Sequence, residues 1–317
     1  MALIYDVLFD SGTRVLSLLD KAGNVISSCE VPSKDVDDIT KPLTFKATQD
    51  GSKVYMNKYS SPSGAFQTSR DGGNTWKDYS MGTTITLNTG DEVSFRAKAN
   101  RSAYRDEYEY FSFMMEGKIE AWHNVMSLYR TNDFATYKYA VNYAFNNLFY
   151  GCTSLTKAPA LPATTLSRQC YRYMFKRCQS LTKAPELPAT TLALRCYYNM
   201  FSGCQSLTKA PALPATTLAL SCYYSMFSGC QSLTKAPELP ATTLADYCYK
   251  HMFYGCQSLK EVRVSATRTA KYALQDWLNN VSATGDFYCD PNATIFPTGT
   301  SGIPSGWTRH NIADYPN

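Results

Sequence analysis

A period of 26 residues governs the C-terminal half of this 317-residue chain. The segments SLTKAP and LPATTL each occur four times, first at Ser154 and at Leu161. Nine cysteines keep the same period in two series, Cys152, Cys178, Cys204, Cys230 and Cys256 in one and Cys170, Cys196, Cys222 and Cys248 in the other. A fixed period of roughly 20–50 residues is typical of solenoids, in which each repeat forms one coil stacked on the previous coil. The period therefore predicts a short stack of coils with ladders of equivalent residues.

Positions that stay constant between the copies predict which side of each coil packs. In one copy they are Leu166, Cys170, Met174 and Cys178. Steps of four residues place such positions on one helical face. We therefore predict a helical or 3₁₀-rich segment in each coil, with the constant side buried and the varying side in solvent. A short strand is predicted for residues 181–184, because Pro185 and Pro188 lack the N–H groups that a longer ladder needs.

The regular spacing also suggests what the cysteines do. Free cysteine packs as a small hydrophobic side chain, which suits a tight position in a stacked coil. Disulfides are an alternative, since equivalent residues of neighbouring coils lie ~5 Å apart, although a parallel stack does not suit the ~90° disulfide torsion. Metal ligation is a further alternative with little support, because the chain has no CxxC motif and its three histidines occupy no repeated position. We expect buried free thiols.

The chain divides into four regions. Residues 1–40 contain a hairpin pattern over residues 13–32, with a turn at Gly23 and Asn24, and are expected to form an attachment segment. Residues 41–130 show short alternating runs between turns, which predict a β-sandwich. Residues 131–264 are assigned to the solenoid and residues 265–317 to a C-terminal cap, with a helix over residues 267–280. The expected fold class is mainly β with an α/β solenoid.

One motif in the sandwich region resembles the Asp-box of sialidases and other β-propellers. It runs from Ser69 through Asp71, Gly73 and Thr75 to Trp76. An aspartate can hydrogen-bond the turn backbone and a glycine permits the reversal, so the motif predicts a structural hairpin. A glycosidase is the alternative, but the region is too short for the several four-stranded blades of a propeller.

The sequence contains no motif that is typical of an enzyme. GxSxG, HExxH, Walker and GxGxxG patterns are all absent. Asp106, Glu107 and Glu109 form an acidic cluster that could serve glycoside hydrolysis, but a solvated charged loop is the simpler interpretation. We expect no enzymatic activity, no cofactor and no metal site.

Charge and hydropathy argue against two classes of partner. A formal net charge of +5 without a basic block is too mild for a nucleic-acid-binding face. No run of 18 apolar residues occurs, so no membrane insertion is expected. The first residues do not resemble a secretory signal, because Asp6 and Asp10 interrupt the apolar run.

Two sets of side chains are candidates for a ligand or partner surface. The strand zone carries Lys157, Lys183, Lys209 and Lys235, one in each coil, and the helical side carries Arg172, Arg195, Tyr198 and Tyr224. The lysines suit an anionic glycan or a docking protein, and tyrosines offer apolar area with a polar tip. The alternatives are a solvated lysine face that limits aggregation and tyrosines that serve packing alone.

The pattern Met-Phe-x-Gly-Cys-x-Ser-Leu, as in residues 200–207, resembles the BspA-like leucine-rich repeats of surface proteins from gut and oral bacteria. The copies cover about residues 145–262. LPATTL, with its extra prolines, departs from the family pattern and resembles a variant of Bacteroides-type chains and of phages that infect them. The resemblance implies a leucine-rich-repeat solenoid that serves adhesion or binding, and it carries over no ligand residues.

Two functions are expected from this resemblance. The first is a phage virion fibre or receptor-binding protein at the virion surface. It would be a homotrimer that binds a bacterial surface glycan or protein receptor and contacts other virion proteins through its N-terminal segment. The second is a monomeric bacterial cell-surface or extracellular adhesin that binds host or glycan ligands. An accessory module of a glycan-active enzyme is a weaker third option.

Overall fold

The computed structural model describes residues 6–10, 15–19, 25–30, 37–58, 66–101 and 110–315. They fall into two compact units, Met1–Asp38 and Ile39–Asn317. Strands and turns make up nearly all of the described structure, together with two short 3₁₀ helices, Val125–Leu128 and Ile312–Asp314. None of the helices in these ranges has the length and apolar character that crossing a membrane requires. The predicted acidic cluster of Asp106, Glu107 and Glu109 lies outside the described residues.

The first unit contains an antiparallel sheet. Its described strands are β1 (Asp6–Asp10), β2 (Val15–Leu19) and β3 (Val25–Glu30), in the order β1-β2-β3. Leu16 lies opposite Cys29 in the β2–β3 pair. This pairing confirms the predicted hairpin, whose turn at Gly23 and Asn24 lies outside the described residues.

Two sheets occupy the N-terminal part of the second unit. Their strands are β4 (Leu43–Ala47), β5 (Ser52–Lys58), β6 (Phe66–Ser69), β7 (Lys77–Tyr79), β8 (Ile85–Leu87), β9 (Glu92–Ala97), β10 (Phe111–Glu116) and β11 (Ile119–Trp122). The described strands of one sheet follow the order β11-β4-β9-β6-β7, and those of the other follow β10-β5-β8. Phe45 and Phe113, one from each sheet, are fully buried with ring centroids 4.6 Å apart. The two sheets therefore share an apolar core, while the boundaries of the sandwich at residues 41 and 130 stay a prediction.

The Asp-box segment forms the hairpin between β6 and β7. Ser69 Oγ donates to Asp71 Oδ1 at 2.6 Å, and the Thr75 backbone N–H donates to the same oxygen at 2.9 Å. The Trp76 indole N–H donates to the Gly73 carbonyl at 2.8 Å, and Gly73 itself has a positive φ of 97°. These bonds are internal to the turn, as the predicted structural role requires.

Each coil contains a series of four-residue turns where the sequence predicts a helix. In one coil, positive φ angles of 55°, 57° and 65° recur at Gln169, Tyr173 and Arg177. The Tyr173 N–H donates to Tyr198 O in the next coil at 3.0 Å. The Met174 N–H donates to Tyr171 O within its own turn at 3.2 Å. Successive N–H groups thus alternate between the turn and the neighbouring coil.

The predicted helices are therefore wrong, both in the coils and over residues 267–280. A step of four residues is shared by a helical face and by this turn series, so the constant positions fit either structure. Over residues 267–280, positive φ angles recur at Tyr272, Asp276 and Asn280. The Tyr249 N–H donates to Ala273 O at 3.1 Å, which makes this segment a further coil. Six such turn series occur among the described residues, and the stack continues past residue 264.

The predicted strand of each coil is reduced to single bridges in the middle of the stack. Lys157 pairs with Lys183, and Lys183 pairs with Lys209, in parallel. Longer strands occur towards the two ends, and they are β12 (Tyr139–Ala140), β13 (Leu155–Lys157), β14 (Thr165–Leu166), β15 (Glu261–Arg263), β16 (Gly285–Cys289) and β17 (Trp307–Asn311). β13 pairs in parallel with β11, so the first coil extends the sheet of β4, and β15-β16-β17 form a parallel sheet at the other end.

Stacked side chains fill the interior of the coils. The rings of Tyr171 and Tyr197 lie 5.8 Å apart, and the next coils continue the same ladder. Trp277 belongs to the last turn series and continues the ladder by stacking on Tyr249 of the preceding coil at 6.2 Å. The nine cysteines of the two series, together with Cys289, are buried free thiols, which confirms the interpretation preferred from the spacing of the nine. The prediction of a mainly β chain with a short solenoid is also confirmed.

Candidate functional site

The turn side of the solenoid carries one column of residues at equivalent positions in four successive coils. It consists of Arg172, Tyr198, Tyr224 and Lys250, and we call it the tyrosine column. The backbone fixes the alignment, because Tyr198 O accepts the Tyr173 N–H at 3.0 Å and Lys250 O accepts the Ser225 N–H at 2.8 Å. All four side chains are half-buried, so each packs on its neighbours and still reaches solvent.

Aromatic rings contact one another along this column. Tyr198 and Tyr224 stack with centroids 4.6 Å apart and an interplanar angle of 17°. Tyr173 meets Tyr198 edge-on at 5.6 Å, and His251 meets Tyr224 edge-on at 5.7 Å. Burial raises the pKa of Tyr198 to about 12. The column thus offers flat aromatic surface with polar tips.

Cationic groups lie over the same rings. The Arg172 guanidinium lies 4.5 Å from the Tyr173 centroid, and that of Arg195 lies 5.8 Å from the Tyr198 centroid. Lys250 Nζ lies 5.7 Å from the ring centroid of Tyr224. Cations within about 6 Å of a ring are attracted to its face by ~0.5–1 kcal/mol at exposed sites. The column and its flanking residues therefore combine positive charge with aromatic area.

The four lysines predicted as a surface lie on a different segment of each coil, and we call them the lysine ladder. Parallel bridges align Lys157, Lys183 and Lys209. Lys157 Nζ lies 3.4 Å from the ring centroid of Trp122. Lys235 Nζ forms a 2.8 Å ion pair with Glu261. Lys157 and Lys235 thus contact other side chains of the protein. Lys183 and Lys209 are exposed, as is Lys235.

A cavity of about 790 Å³ opens at one end of the lysine ladder. Its lining includes Lys209, Lys235, Glu238, Arg263 and Tyr315. Tyr315 belongs to the C-terminal segment and reaches the coils from outside the repeats. No group of three or more side chains suited to holding a metal ion occurs among the described residues.

The eight predicted surface residues therefore separate into two groups, the lysine ladder and the residues around the tyrosine column. Sequence reasoning missed Tyr173, Lys250 and His251 beside the column. Lys250 shares the repeat position of Tyr224, so the internal period could have revealed it. No comparable signal existed for Tyr315, because its place beside the cavity depends on how the segment after the last coil folds back.

The repeats match a known family. Residues 168–281 match the BspA type leucine-rich repeat region, in six copies. No curated protein and no solved structure matches the chain. Repeats of this family indicate a surface or binding protein. The observed stack of coils agrees with the match, so residues 168–281 carry repeats similar to the BspA-type leucine-rich repeats.

Proposed function

We propose that the chain is a non-enzymatic binding protein of a phage virion, a fibre or receptor-binding protein that attaches to the bacterial host surface. The tyrosine column is the observation that carries the binding role. Its tyrosines stack at 4.6 Å on a solenoid with a buried apolar core, and Arg172 and Lys250 flank them at the two ends. Rigid aromatic side chains with polar tips are enriched in binding surfaces because they offer large area at a small entropy cost.

The division into two compact units supports the virion role. Met1–Asp38 forms one unit and the solenoid belongs to the other. A small N-terminal unit suits contacts with other virion proteins, while the column suits a surface glycan or protein receptor. In this proposal the chain acts as a homotrimer, which multiplies weak individual contacts through avidity.

A bacterial cell-surface adhesin is the second candidate. The family match favours it, because BspA-type repeats indicate a surface or binding protein. In this case the chain is a monomer in the cell envelope or outside the cell, and the same column binds a host protein or glycan.

Binding to intact bacterial cells tests the shared part of both candidates. The double variant Tyr198→Ala/Tyr224→Ala removes the stacked pair, and we expect cell binding to fall at least tenfold, since truncated aromatic anchors typically cost ~2 kcal/mol or more. Tyr150→Ala is the matched control, because this tyrosine is exposed and lies outside the column. Equal cell binding by the double variant and the control would contradict the proposal that the tyrosine column binds the cell surface.

Oligomeric state and location separate the two candidates. The full chain and a chain without residues 1–38 are compared by sedimentation, and an antibody against the chain is tested on purified phage particles and on bacterial envelopes. A trimer that labels particles supports the virion protein. A monomer that labels only envelopes contradicts it and supports the adhesin.

A further inference from the structure

The cavity beside the lysine ladder is a second candidate binding site, because none of the residues of the tyrosine column line it. Its volume of about 790 Å³ lies in the range of ~300–1,000 Å³ typical of small-ligand sites. Proline rings of successive coils, including Pro211 and Pro237, form part of its lining. Because the proline ring locks φ, this apolar wall is stiff.

An aromatic ring lines another part of the cavity and is held from several directions. The Tyr315 hydroxyl donates to Glu261 Oε1 at 2.5 Å, and Tyr288 meets the ring edge-on at 4.8 Å. Lys235 Nζ and the Arg263 guanidinium lie 4.9 and 4.7 Å from the ring centroid. Burial, followed by the hydrogen bond to Glu261, raises the pKa of Tyr315. A ring fixed in advance lowers the ordering cost of binding a ligand.

The charges around the cavity leave one cation in surplus. Lys235 pairs with Glu261 at 2.8 Å, and Arg263 pairs with Glu238 at 3.3 Å. Lys209 also lines the cavity, and no carboxylate of the described residues pairs with it. One anionic group on a ligand therefore finds a free partner in Lys209. The paired carboxylates keep further lone pairs that can accept hydrogen bonds from ligand hydroxyls.

We propose that this cavity binds a sugar residue that carries one carboxylate, of the hexuronate class, as part of a surface glycan. The apolar face of the sugar ring packs on Tyr315 and the proline wall, its carboxylate pairs with Lys209, and a hydroxyl donates to Glu238. The identity of the glycan as a bacterial surface component rests on the proposed function, whereas the site chemistry stands on the cavity alone.

Calorimetric titration of the full chain with sodium glucuronate, glucose and sodium acetate tests the proposal. We expect glucuronate to bind about tenfold tighter than either of the others, since a single charge-assisted hydrogen bond supplies such a factor. Lys209→Gln should abolish the preference for glucuronate over glucose. Lys183→Gln is the matched control, because Lys183 holds the same position one coil away and does not line the cavity.

A second pair of variants tests the aromatic wall. Tyr315→Ala should weaken the binding of both sugars, whereas Tyr315→Phe keeps the ring and should retain glucose binding. Thermal melting by circular dichroism verifies that each variant is folded. Equal affinities for glucuronate and glucose, or equal effects of Lys209→Gln and Lys183→Gln, overturn the proposal. Cell binding without a glucuronate response contradicts this site alone, and a glucuronate response without cell binding contradicts the proposed function alone.

Discussion

The Cys204 thiol donates a hydrogen bond to the carbonyl oxygen of Phe175, one coil away, at 3.1 Å. The same oxygen also accepts the backbone N–H of Cys178 at 3.1 Å. Equivalent thiol bonds recur between Cys230 and Phe201 at 3.2 Å. Each such thiol therefore acts as a small apolar filler and as a second donor to a carbonyl that the turn already satisfies, which explains why cysteine suits the position.

The thiols of the solenoid should be unreactive while the chain is folded. Burial raises the pKa of Cys196 to about 12 and raises that of Cys204 further, so the reactive thiolate is scarce at pH 8. We expect iodoacetamide to label the repeat cysteines only after unfolding, as mapped by peptide mass spectrometry with and without urea. Labelling of Cys204 in the folded chain at the rate of an exposed thiol contradicts this prediction.

Stability should fall as the pH rises above about 8.5, the ordinary pKa of a thiol. In the folded chain burial raises the pKa of Cys196 to about 12, and it raises the pKa of Tyr197 as well. The folded state then binds more protons than the unfolded state between pH 8.5 and 12. The free energy of unfolding therefore decreases with pH, by up to ~1.4 kcal/mol per pH unit for each buried thiol.

Urea unfolding at pH 7, 9 and 10 measures this dependence. Cys204→Ala removes one titrating group, so its free energy of unfolding should fall less steeply with pH than that of the unaltered chain. At pH 7 the same substitution should cost about 1–2 kcal/mol through lost burial. A flat pH profile between 7 and 10 in the unaltered chain disagrees with the prediction.

The period of 26 residues predicts the stack, its buried side and the state of its cysteines, because identical coils must place identical residues alike. It does not predict the local backbone. Constant residues every four positions fit a helix and a turn series equally well, and the choice depends on hydrogen bonds such as Tyr173 N–H to Tyr198 O, which join different coils. A position that varies between the copies is also not always exposed, since Gln169 occupies such a position and is fully buried.

For the candidate site, the period predicted the column tyrosines, since a repeated position is visible in the sequence. The cavity could not be predicted from the sequence, and the reason is physical. Tyr315 meets Lys235 and Arg263 only because the chain end folds back on the coils. Contacts between a repeat and a segment without repeats leave no mark in the internal period.

The third turn of each series allows the cost of a positive φ angle to be measured. Arg177 has a positive φ of 65°, and four other coils place Gly151, Gly203, Gly229 and Gly255 at its position. A left-handed residue with a side chain costs ~1–2 kcal/mol, which the lost flexibility of glycine offsets in part. Arg177→Gly should therefore raise the free energy of unfolding by roughly 0.5–1 kcal/mol, measured by urea denaturation.

Gly229→Ala is the reciprocal variant. Its φ is 75°, and an added Cβ would lie 3.7 Å from the nearest atom, so only the backbone conformation opposes the change. We expect a loss of about 1 kcal/mol. Both N–H groups donate to the next coil, from Arg177 to Ser202 O and from Gly229 to Tyr254 O, so the hydrogen bonding is matched. A loss of stability in both variants would show that another property of the position dominates.

The Asp-box turn should lose stability in acid. Hydrogen bonds from Ser69 and Thr75 hold the pKa of Asp71 well below its usual range, so the folded state favours the ionised carboxylate. Because the pKa is lower in the folded than in the unfolded chain, the contribution is complete above about pH 4 and declines as the pH falls further. Asp71→Asn should therefore lower the melting temperature at pH 7, and its difference from the unaltered chain should shrink towards pH 2. Asp91→Asn, at another exposed turn, controls for the loss of one charge, and a deficit at Asp71 that is constant with pH would contradict the role of ionisation.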